Sequence, residues 1–245
     1  LEEVPLVVDS AQGAHLRLAD GTVLVDAIAS WWASVHGHCH PDLVNAMHKQ
    51  AKHLDHVLFA GATHGPAVEL AQQLLSLAPS GLSRVFYSEN GSTAVEVALK
   101  MAYHAWVLRG QSQRLAFVAL QGAYHGDTFG AMAVGDPVPF FTTFSPLFFE
   151  VHHVAPSAEA LAAKLRELGD RAAAVIVEPL LQASAGMVMY PQVFLSACRS
   201  LCDEAGVFLI ADEVATGFGR TGSMFACDKV GLRPDFLCVA KAFTG

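Results

Sequence analysis

Two charged residues of opposite sign close two apolar runs late in the chain. Residues 207–211 read Val-Phe-Leu-Ile-Ala and deliver Asp212 and Glu213; residues 235–240 read Asp-Phe-Leu-Cys-Val-Ala and deliver Lys241. Runs this short are read as interior strands of a parallel sheet rather than as buried helices. Open α/β sheets bind ligands beyond the carboxyl ends of their strands. A carboxylate and an amine at two such ends suit imine chemistry. Lys241 would hold pyridoxal phosphate as a Schiff base, and Asp212 would pair with its pyridine nitrogen. The bland alternative is a solvated lysine and an aspartate that caps the glycine-rich turn at 216–222.

Other residues at strand ends could serve the same ligand. Asn90, Gly91, Ser92 and Thr93 lie between an expected strand and an expected helix. Gly91 permits a tight turn, the helix-start amides attract anions, and Ser92 and Thr93 add hydroxyls. Thr93 and Glu96 fit a capping box equally well, and the two roles are compatible. At 122–127 the chain reads Gly-Ala-Tyr-His-Gly-Asp, where Tyr124 could stack on a planar ring and His125 could hydrogen-bond nearby. A turn with a half-buried aromatic explains that segment as well. His36, His38 and His40 alternate like a metal site, but Gly37 and Pro41 interrupt a strand and no acid lies close by, so no metal is expected. His48, His53 and His56 form no HExxH pattern. Trp31 and Trp32 stand together before a glycine turn and hint at a pocket wall, although single tryptophans are usually packing.

The elements that must position these residues alternate in type. Short strands joined by a hairpin at Ala19, Asp20, Gly21 and Thr22 fill residues 4–25. Helices are expected at 41–55, 66–78, 93–108, 158–168 and 191–205, and strands at 84–88, 115–120, 149–154, 172–177 and 207–211. Helices alternating with strands at this spacing make βαβ units and a mostly parallel sheet flanked by helices, an α/β fold. No repeat or low-complexity tract interrupts it.

The 245 residues are 53% hydrophobic and 16% charged, with a formal net charge of −8. The core material is abundant, no apolar run approaches the roughly 18 residues of a membrane span, and the acidic balance disfavours a nucleic-acid surface. Five cysteines without a CxxC pair read as free buried thiols in a reducing compartment. No secretory signal is visible.

Together, Ser30, Trp31 and Trp32, the His-Gly-His-Cys-His-Pro run at 36–41, the Tyr-His-Gly-Asp run at 124–127, Glu178 and Pro179, the 212–220 segment and Lys241 resemble the class III pyridoxal-phosphate aminotransferases. The resemblance covers essentially the whole chain in order. It implies the large domain of the aspartate-aminotransferase-like fold, C-terminally truncated. An N-terminal segment at 1–40 would carry the substrate-pocket loop, with an incomplete cofactor-binding domain at 41–245. It implies that Lys241 forms the Schiff base and moves the proton, and that Asp212 keeps the pyridine nitrogen protonated. Gly91 and Ser92 would bind the phosphate and Tyr124 would lie against the ring. Trp31, Trp32, Asp127 and Arg220 would lie near substrate, and Glu178 would stand behind the site. Within the family, the tryptophan pair and Ser184 (where ornithine and 4-aminobutyrate enzymes place a gating glutamate) resemble the branch acting on 8-amino-7-oxononanoate in biotin synthesis. S-adenosylmethionine is the expected amino donor, with lysine as the alternative, and the full-length protein is expected to be a cytoplasmic homodimer.

Overall fold

A computed structural model describes residues 4–243, which fall into two compact units, 4–70 with 241–243, and 71–240. The first unit opens with an antiparallel meander of β1 (Val8–Gln12), β2 (His15–Leu18) and β3 (Val23–Val25). The expected hairpin joins β2 to β3, with Gly21 at φ +88° and the Thr22 amide donating to Asp20 Oδ1 at 2.9 Å.

The next element, α1 (Ala29–Trp32), is not the loop expected from the sequence but one left-handed turn, with φ of 47°, 46°, 56° and 67°. L-residues avoid this conformation by roughly 1–2 kcal/mol each, so the turn needs outside support. Asp26 provides it: one carboxylate oxygen accepts from Ser30 Oγ at 2.8 Å and meets His38 Nε2 at 2.8 Å. The alternating histidines therefore have an acid beside them after all, and it is engaged in holding a turn. His40 Nδ1 instead accepts from the Asp42 amide at the start of α2 (Pro41–Ala51), whose first residue is a proline with no amide to satisfy. The helix α3 (Gly65–Leu77) runs from the first unit into the second.

The second unit holds α4 (Gly91–Leu108), β4 (Ala116–Leu120), α5 (Phe129–Val134), β5 (Val151–Val154), α6 (Ala158–Leu168) and β6 (Ala172–Val177). A two-residue ladder of β7 (Leu181–Gln182) and β8 (Val188–Met189) follows, then α7 (Gln192–Ala205), β9 (Phe208–Asp212) and β10 (Phe236–Cys238). Five strands pair in the order β10-β9-β6-β4-β5, all parallel. Alternate side chains divide between two covered faces, as the pleat requires. Ala116, Val118 and Leu120 of β4 pack with Leu161 and Leu165 of α6 and with Leu195, Cys198 and Cys202 of α7. Phe117 and Ala119 pack on the other side with Val95, Leu99 and Ala102 of α4 and with Ala131 and Val134 of α5. The chain leaves β4 to one side for β5 and leaves β6 to the other side for β9, so the carboxyl ends of β4 and β6 flank a topological switch point.

Three local expectations change. Residues 84–88 form no strand and pair with no described strand, and Phe86 is exposed, because β-type composition makes a strand only where a neighbouring strand pairs with it. The six-residue α5 lies in a segment whose periodicity is too brief to announce it. Cys39 is exposed; the other four cysteines are buried and all five are free. Among the described residues no helix is long and apolar enough to cross a membrane.

Candidate active site

Asp212 ends β9 with 4% of its surface exposed. Its Oδ1 accepts from the Val214 amide at 3.0 Å, and its Oδ2 lies 2.7 Å from Nδ1 of His125, which is also buried. Burial opposes charge on that imidazole, but the Asp212 hydrogen bond and charge, helped by Glu178, raise its pKa above the ordinary value. Nε2 of His125 is buried without a partner among the described residues. His125 follows β4 and Asp212 ends β9, so the pair reaches over the end of β6, which lies between them in the sheet. The sequence offered only a general hint that His125 might find a hydrogen bond, and nothing to name its partner.

Val214 leads from Asp212 to the start of α4. A Cβ on Gly91 would fall 2.8 Å from Val214 Cγ1 and 3.5 Å from the Ala240 Cβ, so glycine is needed here for close approach, without any left-handed backbone. Asn90 caps α4: its side chain accepts from the Thr93 amide at 3.0 Å while Thr93 Oγ1 accepts from the Asn90 amide at 3.0 Å. The capping box is therefore Asn90 with Thr93, not Thr93 with Glu96, because the helix begins two residues earlier than expected. No described residue accepts from the Gly91 or Ser92 amide. Ser92 Oγ accepts from the Asp127 amide at 3.1 Å, which leaves the hydroxyl proton to donate elsewhere. Two amides, a hydroxyl donor and the positive end of an 18-residue helix make an anion-binding end.

Tyr124 lies in the loop between β4 and α5. Its ring stacks with Phe141 at 5.9 Å between centroids, and its hydroxyl donates to Asp127 Oδ1 at 3.1 Å. Partial burial and the Asp127 carboxylate push the phenol up to about 12, so it is a hydrogen-bond donor rather than a base near neutrality. Glu178, just beyond β6, accepts from the Tyr124 amide at 3.1 Å and the Ala183 amide at 3.3 Å. Burial raises Glu178 to about 7, with Asp212 repelling its charge and His125 partly compensating. The second acid of the Asp-Glu pair does something different. Glu213 is fully buried and accepts from Thr216 Oγ1 and the Ala226 and Cys227 amides at 2.7–2.9 Å, so it organises the loop after β9.

The structure thus brings Gly91, Ser92, Tyr124, Asp127 and Asp212 together in one unit, with His125 and Glu178 added. Arg220 is exposed in that same unit. Lys241 follows β10 by three residues and belongs to the unit that carries Trp31 and Trp32. Its Nζ lies 4.8 Å from the Trp32 ring centroid, within cation–π range, while Trp31 is 70% exposed.

The raised Glu178 makes stability depend on pH. Its folded value of about 7 lies above the ordinary 4.5, so its contribution is complete below pH 4.5 and is lost as pH rises through 7. Glu178→Gln cannot ionise. Between about pH 5 and about pH 8 its stability relative to wild type is expected to rise by on the order of 3 kcal/mol. Denaturant unfolding at both pH values measures this; parallel losses in the two proteins would contradict it.

A family model described as aminotransferase class-III matches residues 2–245. An adenosylmethionine-8-amino-7-oxononanoate aminotransferase of Synechococcus elongatus is 48% identical, over 98% of this chain and 60% of that protein. The enzyme of the same name from Nitratidesulfovibrio vulgaris is 42% identical, over 98% of this chain and 48% of that protein. Among solved structures, the one from Methanocaldococcus jannaschii that bears this name superimposes with a TM-score of 0.95 at 37% identity, covering 98% of this chain and 57% of that one. An amine transaminase from an uncultivated Pseudomonas species, solved in a PLP-bound form, gives 0.89 at 32% identity, covering 97% and 58%. The chain spans about half to three fifths of the length of these relatives.

Proposed function

This chain belongs to the class III aminotransferases, and from that premise we propose that the full-length protein uses pyridoxal phosphate to aminate 8-amino-7-oxononanoate in biotin synthesis. One observation carries the cofactor reading. The buried Asp212–His125 pair is tied through Val214 to the amide end of α4, which places a carboxylate and an anion-binding helix start along one stretch of the unit. These are the two features that a pyridine nitrogen and a phosphate ester require at opposite ends of one molecule.

Each residue has a role suited to its surroundings. The Gly91 and Ser92 amides and the Ser92 hydroxyl bind the phosphate, with the helix dipole adding to them. Asp212 holds a proton on the ring nitrogen, and His125 fixes the orientation of that carboxylate. Tyr124 offers its face to the ring and its hydroxyl to Asp127. Lys241 supplies the amine that binds the cofactor and shuttles the proton during transfer. When bound, pyridoxal phosphate supplies an electron-accepting ring that makes the carbon beside the amine acidic.

The substrate reading draws on the names of the relatives, on the Trp31–Trp32 pair and on Ser184, which is exposed just after the short β7. S-adenosylmethionine is the proposed donor. The same reading makes the full-length protein a cytoplasmic homodimer acting on small molecules, and a net charge of −8 disfavours a nucleic-acid surface. Purified full-length protein with pyridoxal phosphate is expected to aminate 8-amino-7-oxononanoate with S-adenosylmethionine far faster than it aminates a generic keto acid. Equal rates would overturn the substrate assignment, and turnover with lysine alone would change the donor.

A further inference from the structure

We propose that Glu96 is a positioning residue that fixes the Tyr124 loop in register with the anion-binding end of α4. This rests on the pyridoxal-phosphate reading above and adds a residue with no assigned part in it. Glu96 lies one helical turn beyond Ser92, on the same face of α4. Its Oε2 accepts from Thr128 Oγ1 at 2.7 Å and the Ala131 amide at 3.0 Å, and its Oε1 from the Gly130 amide at 3.2 Å. The orphan amides at the start of α5 are therefore satisfied by a carboxylate from another helix, while Thr128 makes no side-chain cap of its own. A turn earlier, Ser92 Oγ takes the Asp127 amide.

Two glycines permit this closeness. A Cβ on Gly130 would fall 2.5 Å from Glu96 Oε2, and one on Gly126 would fall 2.1 Å from Ser92 Oγ and 2.8 Å from the Ser92 Cα. Gly126 also has φ +122°, which side chains rarely adopt. Residues 126–131 are thus fastened along two turns of the helix whose amides receive the phosphate. Tyr124 precedes these fastenings and joins them through its hydroxyl, which donates to Asp127 Oδ1 at 3.1 Å. Glu96 thereby holds the far end of the loop that carries the Tyr124 ring at a set distance from the phosphate.

The test uses full-length protein and pyridoxal phosphate, reading the cofactor dissociation constant, the circular dichroism of the bound cofactor's visible band, and apoprotein melting. Glu96→Ala is expected to weaken cofactor binding about tenfold or more and to change the amplitude of that band. Glu96→Gln, which keeps one acceptor oxygen, should recover most of both. Thr128→Val, losing one hydrogen bond at nearly constant volume, should shift both in the Glu96→Ala direction by a smaller factor and keeps the test open if Glu96→Ala does not fold. A lower melting temperature with wild-type affinity and dichroism in Glu96→Gln and Thr128→Val, and in Glu96→Ala if it folds, would make Glu96 merely structural and overturn the proposal. Wild-type protein that binds no pyridoxal phosphate would overturn both this proposal and the cofactor reading, so the two failures are distinguishable.

Discussion

Lys241→Ala in the full-length protein is expected to bind pyridoxal phosphate without a covalent link to the chain and to transaminate at least about 10²–10⁴-fold more slowly. That range is what loss of a positioned general acid–base group alone removes. Lys241 is partly buried rather than a fully solvated surface charge. It follows β10 by three residues, takes φ +50°, and rests its ammonium against the face of Trp32. Lys241→Arg separates charge from nucleophilicity. A guanidinium keeps the cation–π contact but stays protonated and cannot form the imine, so it should fail as fully as alanine. Absorbance of the bound cofactor and steady-state rates measure both variants. A visible band and rates that match wild type in Lys241→Ala would remove Lys241 from the chemistry.

Asp212→Asn should have the next largest effect, a fall in rate of about 10²–10³-fold, the size seen when one preorganised electrostatic group is removed from an active site. Asparagine keeps the shape and can still meet His125, so affinity for the cofactor should fall much less than the rate does. Asp212→Ala goes further, because it leaves the fully enclosed His125 imidazole with neither nitrogen satisfied. Breaking a buried pair of this kind destabilises a fold by about 3–5 kcal/mol. His125 titrates above its ordinary value, so the stabilisation it draws from Asp212 is present at low pH and lost as pH rises through the raised value. Removing Asp212 should therefore cost most stability at acidic pH. An Asp212→Asn protein with wild-type rate, or an Asp212→Ala protein with equal losses at about pH 5 and about pH 9, would show that the pair has neither role.

The apolar runs, their breaks and the residues at their ends are local features, and the sequence alone determined them. Burial of both faces of β4, β6 and β9 follows from their nearly uninterrupted apolar side chains, and parallel pairing follows from the helices between them. That logic places Gly91, Ser92, Tyr124 and Asp212 at strand or helix ends, and Lys241 after β10, before any coordinates are known. What each acid does was not legible, because it depends on strand order and on helix starts shifted by a residue or two. Asp212 meets His125 across 87 positions because the strand order sets β9 and β4 on either side of β6, over whose end the two side chains reach. Glu96 looked like part of its own helix cap, but α4 starts at Gly91, and the side chain one turn further on reaches α5 instead. Glu213 arrives at the strand end beside Asp212 with no role written in the sequence, and the packing makes it the anchor of a buried loop. Local composition determines which groups stand at the ends of elements. Only the tertiary structure decides which donor each carboxylate finds, since a buried charge settles on whichever amides and imidazoles the packing of distant segments leaves beside it.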